Sequence, residues 1–398
     1  MLGRFAEPGK FLQHGEQSVQ SALGDASGDL LAMCRRLSAV AAPAGNEDRL
    51  TAMVVDHLRA GGLKPIVDRL GQVAVTFGGN RDGAPTVLVT AHLDELGLTV
   101  RGIDADGMLR VHRLGGMPER VLPGTRLLVH TRHGDVPAVV GIKSHHLTPP
   151  EDKYVAKPAT ELYLDIGAAT VTQAESAGVR VGDPVTYQPQ WDEFVGGRFS
   201  GKSLDDRLGV AALLGYVDWL VVNAPQQRVV VAFTTQEEFH VRGTLALVSK
   251  FSPDIVVNVD IAPATDTPDL AGQGAVRLGA GPTLSRLSFH GRGTLGGLIP
   301  HPALVRVVEA VAGKESVAIQ HDAMIGVITD AAFVTMASAD GIAAVGIGIP
   351  VRYTHSPVET AQASDVMACV QLLIGVVPRL ADVDLARGAS QIVRGGLA

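Results

Sequence analysis

The sequence predicts an α/β fold with a small β-barrel-like domain inserted into it, and three observations carry that expectation. Apolar runs of strand length, at residues 85–92, 228–234 and 255–259, end in or run into imidazole or carboxylate side chains. A strand that is apolar at every position belongs in the middle of a sheet covered on both faces. Segments with apolar residues at helical spacing alternate with these runs. Between about residues 100 and 192 that helical period disappears, and short alternating stretches separated by Gly and Pro replace it.

The chain of 398 residues is long enough for two or three domains. A 46% hydrophobic content with 19% charged residues, 46 glycines and 22 prolines describes a turn-rich globular protein with no disordered composition. The net charge of -7 and 4% aromatic content exclude a nucleic-acid binder, which needs a basic surface. No apolar run approaches the roughly 18 residues of a membrane span. Charged residues interrupt every apolar patch of the first 25 positions, so no signal-peptide core is expected and a cytoplasmic location is. Cys34 and Cys369 fall within helical apolar patterns and are expected as buried thiols.

In order along the chain, residues 1–27 show no clear period and form an extension. Leu30, Leu31, Met33, Cys34, Leu37 and Val40 then recur at helix spacing until Pro43 and Gly45. A second helix has Asn46 as its cap and ends at Gly61-Gly62. Extended runs follow at residues 65–67, 73–77 and 85–92. The insertion carries strand-like stretches at 108–112, 126–131, 138–142 and 161–166. A helix over 206–222 resumes the α/β pattern, followed by strands at 228–234 and 255–259. Residues 271–299 read as Gly-rich and irregular, 302–311 as a helix, 342–349 as the last strand and 364–374 as the closing helix.

Adjacent carboxylates at Asp205 and Asp206 open the helix over 206–222, where a capping role would account for them. The other candidates change that reading, because His92, Glu237, Glu238, Asp260 and His355 each lie at or just past the end of a strand. Ligands of open α/β sheets collect beyond the carboxyl ends of the strands, so these residues form one site. Two histidines with several carboxylates suit zinc, cobalt or manganese better than the all-oxygen sets of calcium or magnesium. The donors suffice for two ions sharing a bridge, with one carboxylate left to take a proton from water. Asp94, two residues after His92 and on the same strand face, can accept the second imidazole N–H. Glu237 and Glu238 point different ways, which fits one ligand and one base.

These motifs resemble the tetrahedral aminopeptidases, also called the glutamyl aminopeptidase family and sometimes labelled endoglucanase M. The segments that carry the resemblance are Ala91-His-Leu-Asp-Glu-Leu-Gly97, Leu204-Asp-Asp-Arg207, Gln236-Glu-Glu-Phe-His-Val-Arg-Gly243, Val259-Asp260, Ile328-Thr-Asp-Ala331 and Pro350-Val-Arg-Tyr-Thr-His-Ser-Pro-Val-Glu359, in the family's order. The resemblance implies a mixed-sheet, three-layer metallopeptidase domain over residues 28–100 and 193–398, with a β-rich dimerisation domain over 101–192. It further implies that Asp205 bridges two divalent ions. His92 and Asp260 would complete one ion and Glu238 and His355 the other, with Glu237 as general base and Asp94 orienting His92. It also implies homo-oligomers, dimers that commonly build a hollow dodecamer, acting on short peptides. The chain departs from the family at Phe239-His240-Val241, at Val327-Ile328 where Gly-Gly is usual, and over residues 283–288, where an expected acidic residue is missing.

His145-His146, His112, His130 and His133 are expected as surface or interface residues. The function expected is metal-dependent removal of N-terminal residues from short peptides. The alternatives are an amidohydrolase acting on N-blocked or non-protein peptides and a non-catalytic assembly protein of the same fold. A glycosidase also needs a carboxylate pair but has no use for two ligating histidines.

Overall fold

The computed structural model describes residues 26–291 and 295–387, so the extension expected over 1–27 lies outside the described residues apart from the first two positions of helix α1. Helices α1 (Ala26–Ala39) and α2 (Asp48–Ala60) lead into strands β1 (Ile66–Val67), β2 (Val73–Phe77) and β3 (Val87–His92). The chain then builds β4 (Gly97–Ile103), β5 (Leu109–Leu114), β6 (Arg126–Thr131), β7 (Gly134–Val140), β8 (Tyr163–Asp165), helix α3 (Val171–Ser176) and β9 (Pro184–Tyr187). It returns through β10 (Trp191–Phe194), β11 (Arg198–Gly201), α4 (Leu204–Val222), β12 (Val229–Thr234), α5 (Gly243–Phe251) and β13 (Ile255–Pro263). The last part holds β14 (Thr283–Phe289), β15 (Gly297–Leu298), α6 (Pro302–Lys314), β16 (Gln320–Ile325), β17 (Ala343–Arg352), β18 (Glu359–Gln362) and α7 (Ala363–Arg379).

The main sheet runs in the order β1-β2-β12-β3-β13-β17-β18-β11-β10, and its four central strands β12, β3, β13 and β17 are parallel. Their alternation sorts side chains to two layers. Val87, Val89, Ala91, Val229, Val231, Phe233, Ile255 and Val257 join the core built on α1, α4, α6 and α7, while Leu88, Val230, Ala232 and Val256 meet α5 through Leu247, Val248 and Phe251. Strands β3 and β12 are buried at every position, as their apolar runs require. Their register sets His92 beside Thr234 at the carboxyl edge of the sheet.

Strands β4-β5-β8-β7-β6-β9 close into a six-stranded barrel. It has a separate apolar core, including Leu98, Val111, Leu127, Val129, Leu164 and Val185. The barrel's first strand, from Gly97, follows soon after His92, and the segment after β5 meets the site where the Gly116 carbonyl lies 3.2 Å from His355 Nδ1.

Three local expectations change. Asn46 is not the cap of α2: Glu47 occupies that position without a side-chain cap, and its carboxylate turns back to the N–H groups of Gly45 at 2.8 Å and Gln236 at 3.1 Å. The stretch read as irregular, 271–299, contains β14 and β15. A register shift between Ser285 and Leu287 breaks the alternation that would have revealed β14. Helix α5 was not anticipated, since nine residues give too few turns for a clear period. The closing helix and its final turn, Ala363–Asp382, have the length and hydropathy of a membrane span, but 61% of the apolar window is buried in the fold. Leu372, Leu373, Val376 and Val377 are buried in its main core.

Beneath the strand ends lies a buried ionic cluster. Lys202 and Arg207 are fully buried and share Glu95, with Lys202 Nζ 2.6 Å from Oε2 and Arg207 Nη2 3.4 Å from Oε1. Arg207 also donates to the carbonyls of Leu37, Val40 and Leu93, tying α1 and the β3–β4 link to the start of α4. Burial alone would raise the Glu95 carboxyl, but Lys202 and Arg207 hold it below its usual value. Removing one partner of such a cluster leaves buried charges uncompensated, at a cost of roughly 3–5 kcal/mol. Glu95→Ala is therefore expected to lower the urea midpoint by that equivalent at fixed protein and metal concentration; a loss below about 1 kcal/mol would show that the cluster is not ionised.

Candidate metal centre

The Asp205-Asp206 pair divides its work. Both residues leave helical backbone angles and are joined by a cis peptide bond. Asp206 accepts from the N–H of Gly209 at 2.9 Å and that of His92 at 3.3 Å, so it is the helix cap that the sequence allowed. Asp205 faces the opposite way. Its Oδ1 lies 3.0 Å from His92 Nε2 and its Oδ2 3.4 Å from His355 Nε2, one carboxylate oxygen for each imidazole.

Around this carboxylate the donors form two groups, His92 with Asp205 and Asp260, and Asp205 with Glu238 and His355, each with ligand atoms within 4.8 Å of one another. Asp260 Oδ1 is 4.0 Å from His92 Nε2, and Glu238 Oε1 is 3.8 Å from His355 Nε2. All five proposed ligands are thus brought together from the end of β3, the segments after β12 and β17, the start of α4 and, for Asp260, the interior of β13, which runs on to Pro263 rather than stopping at residue 259 as expected. Glu237 stands beside them, buried, and its Oε1 has no hydrogen-bond partner among the described residues.

Asp94 is placed differently from expectation. The nearest partner of His92 Nδ1 is the Asp94 carbonyl at 3.1 Å, while the carboxylate Oδ1 is 3.6 Å away, beyond hydrogen-bond distance. The Asp94 carboxylate instead accepts the backbone N–H groups of Glu237 and Glu238, both at 2.9 Å. It fixes the turn that carries those two side chains.

The electrostatics are those of carboxylates short of positive charge. Burial and mutual repulsion push Glu237, Glu238 and Asp260 above the ordinary carboxylate range. Burial would lower His92 and His355, but the surrounding carboxylates lift both imidazoles above their usual value. Asp205 is the exception: burial would raise it, but the two imidazoles it touches hold it low. A divalent cation would replace the protons this cluster otherwise keeps, so imidazole and carboxylate donors with an orphaned buried oxygen fit such ions.

Two further residues escaped the sequence reading. Glu359 is buried and accepts the N–H of Asp205 at 3.1 Å and that of His355 at 2.6 Å, clamping two donor-bearing segments together. Asp330 is buried behind the site and accepts from Thr234 Oγ1 at 2.6 Å. Both belong to the segments that carry the resemblance, but spacing alone gave no sign of where their carboxylates point. Among the lesser candidates, His130 is held between Asp135 and Thr186, both at 2.8 Å, and His145 and His146 belong to neither donor group. Cys34 and Cys369 are free and buried.

The donor groups open into a cleft of about 850 Å³ lined by His112, Phe239, His240, His290 and Ile328 among others. Ser203, Gln236, His240, Val241, Tyr353 and His355, all in segments that border the site, have left-handed backbone with φ between 55° and 69°. Such conformations cluster where a fold over-determines its functional loops.

A profile of the M42 glutamyl aminopeptidases matches residues 71–372. The chain belongs to this peptidase family. It is 34% identical over 329 residues to Escherichia coli SgcX, whose aminopeptidase name is provisional, covering 83% of this chain and 88% of that one. It is 29% identical over 333 residues to the lysyl aminopeptidase of Pyrococcus furiosus, covering 83% and 92%. Among solved structures, an aminopeptidase of Desulfurococcus kamchatkensis superposes with a TM-score of 0.82 at 31% identity, covering 89% of this chain and 97% of that one. The Pyrococcus horikoshii TET1 peptidase gives 0.76 at 28%, covering 88% and 99%. The mixed sheet with its inserted barrel is therefore the M42 fold.

Glu47 supports the Glu237–Glu238 turn from behind, through its bond to the Gln236 N–H. Burial is the main cause that lifts its carboxyl from 4.5 to about 7, with Asp94 adding to it. The folded chain thus holds a proton that the unfolded chain releases, so this contribution is complete below about pH 4.5 and is lost as pH rises through about 7. Glu47→Gln keeps an amide oxygen for both N–H groups and cannot ionise. The variant is expected to gain stability relative to the parent between pH 5 and pH 8, by on the order of 2 kcal/mol. Urea midpoints at each pH check this, and parallel curves would refute it.

Proposed function

We propose that this chain is a metal-dependent aminopeptidase that removes N-terminal residues from short peptides, with two divalent ions held at one site. The observation that carries the reading is the meeting of two donor groups on the single carboxylate of Asp205. In this proposal His92 and Asp260 complete one ion's ligand set and Glu238 and His355 the other's, with Asp205 common to both. Two zinc or cobalt ions, with manganese also suited, would supply Lewis acidity there, activating water and polarising the scissile carbonyl.

The chain's own residues do the rest. Glu237 is the general base: its unpartnered, buried oxygen takes a proton from the attacking water and passes it to the departing amine. Burial raises its proton affinity above that of an exposed glutamate, which favours its accepting a proton from water. Asp94 holds the Glu237–Glu238 turn through two backbone N–H groups and supports His92 through its carbonyl. The cleft of about 850 Å³ beside the donors has room for a peptide end.

The catalytic part in this reading spans residues 28–100 and 193–398, and the barrel region, 101–192, pairs two copies of the chain. The Pyrococcus horikoshii TET1 peptidase is described as assembling into a tetrahedron or a large octahedral shell. By that likeness we propose a homo-oligomer here, a dimer that builds a dodecamer, working in the cytoplasm without nucleic-acid or membrane partners.

The test is a panel of amino-acid anilides and short peptides given to chelator-stripped protein with zinc, cobalt or manganese restored. Release of the N-terminal residue is expected only with metal. Glu237→Gln is expected to lower kcat by about 10²–10⁴-fold while two ions per chain remain by elemental analysis. If free N-termini survive every metal while blocked amides are cleaved, the amidohydrolase reading replaces this one; inactivity toward both with two ions bound would favour a non-catalytic assembly protein.

A further inference from the structure

The two donor groups are not held by the same parts of the chain. The ring of His92 meets the Asp94 carbonyl and Asp205, and its backbone N–H reaches Asp206. Asp260 lies within β13, and its Oδ1 accepts the N–H of Ile261 at 2.7 Å. These partners lie on or beside β3, β13 and α4. Glu238 and His355 also follow strands of the main sheet, but the barrel region reaches both of them.

The segment after β5 passes this second group as Gly115-Gly116. Gly115 has a φ of 86°, and a Cβ built on it would stand 3.1 Å from the Glu238 carbonyl oxygen and 3.5 Å from the Glu238 Cβ. A Cβ on Gly116 would stand 3.1 Å from His355 Nδ1 and 3.2 Å from its Cε1. With no side chain between them, the Gly116 carbonyl oxygen comes to 3.2 Å from His355 Nδ1. Tyr187, from β9 and packed in the barrel core, donates its hydroxyl to the His355 carbonyl at 3.3 Å. His355 has a φ of 67° and gives its own N–H to Glu359 at 2.6 Å. A left-handed conformation at such a residue persists only where its surroundings over-determine it. Two of the three bonds that do so here, at the ring and at the carbonyl, come from the barrel region.

We propose that the barrel region completes the donor group of Asp205, Glu238 and His355, with Gly116 and Tyr187 as positioning residues for His355, while the group of His92, Asp205 and Asp260 is independent of it. The inference rests on the two-ion reading given above. A metal-ligating imidazole commonly gives its second ring N–H to a fixed acceptor, which sets its tautomer and direction. The Gly116 carbonyl is such an acceptor: with Nδ1–H donated to it, Nε2 turns its lone pair toward Asp205 and Glu238, at 3.4 and 3.8 Å. Tyr187 fixes the backbone from which that ring projects. The His355 side chain is 34% exposed against 2% for His92, so burial holds it far less firmly and these bonds matter more. The region that pairs two copies of the chain in our reading would then also govern how firmly one of the two ions is held.

Calorimetric titration of chelator-stripped protein with zinc tests this without substrate. Tyr187→Phe removes one hydroxyl and keeps the ring in the barrel core. It is expected to weaken one of the two binding events by about 10-fold or more, the scale of losing an outer partner of a ligand, and to leave the other unchanged. His355→Ala identifies the affected event. The single ion it still binds is expected to keep its affinity when Tyr187→Phe is added. Gly116→Ala presses a methyl group on the imidazole and is expected to weaken the same event as Tyr187→Phe. With cobalt in place of zinc, the visible absorption of that equivalent is expected to change while the other's does not.

Equal weakening of both events, weakening of neither, or a loss on adding Tyr187→Phe to His355→Ala would overturn the assignment, as would a parent chain that binds a single ion. Peptides left uncut by protein with two ions bound would sink the aminopeptidase reading alone, because the titration needs no turnover.

Discussion

The controlling constraint in this molecule is the burial of many carboxylates at one edge of a sheet. Asp94, Asp205, Asp206, Glu237, Asp260, Asp330 and Glu359 are all buried there. Like charges so close cannot all ionise unless positive charge or N–H donors compensate them. The fold supplies donors to some and withholds them from others. Asp94, Asp206 and Glu359 each accept two backbone N–H groups, so their carboxyl oxygens are committed to holding loops. Asp205, Glu238 and Asp260 are turned to the imidazoles, and Glu237 Oε1 accepts from nothing described. That division separates the framework acids from those left for metal and proton chemistry.

Three consecutive residues show how tightly the two roles are joined. Asp205 reaches both imidazoles, Asp206 caps helix α4, and Arg207 is driven into the ionic cluster with Glu95 and Lys202. A shift of the backbone at this turn would disturb all three at once. The geometry of the bridging carboxylate therefore inherits the rigidity of a buried salt-bridge cluster and of the helix start. This is the support that a site needs if its atoms are to stay within a few tenths of an ångström of a working arrangement.

Much of this was legible in the sequence, for reasons that differ by element. Strands β3, β12 and β13 are apolar on both faces, so their runs announced central strands and their ends announced the site. Two of the barrel's longer strands, β5 and β6, kept a clear alternation. What sequence could not give is direction. Nothing in adjacent letters says that Asp206 turns to the helix while Asp205 turns away, or that the Asp94 carboxylate serves two backbone amides more than the histidine beside it. Glu359 was hidden for the same reason: its partners are the N–H groups of Asp205, 154 positions away, and of His355. Strand β14 was missed because its bulge interrupts the alternation on which the reading depended.

The elements that were hard to read are also those that stand apart from the donor set. The proposed ligands sit on or just beyond four adjacent strands and on one helix start. The residues that shape the surrounding space come from irregular segments: the left-handed turn at His240-Val241, the Val327-Ile328 link, and the β14–β16 pair. Each borders the cleft or the small pocket beside it without contributing a ligand atom to either donor group. A fold divided this way can hold one chemistry constant while its pockets vary, because transition-state contacts and side-chain contacts draw on different backbone. On that argument the departures at residues 239–241, 283–288 and 327–328 bear on which peptide end the site accepts rather than on how its bond is broken.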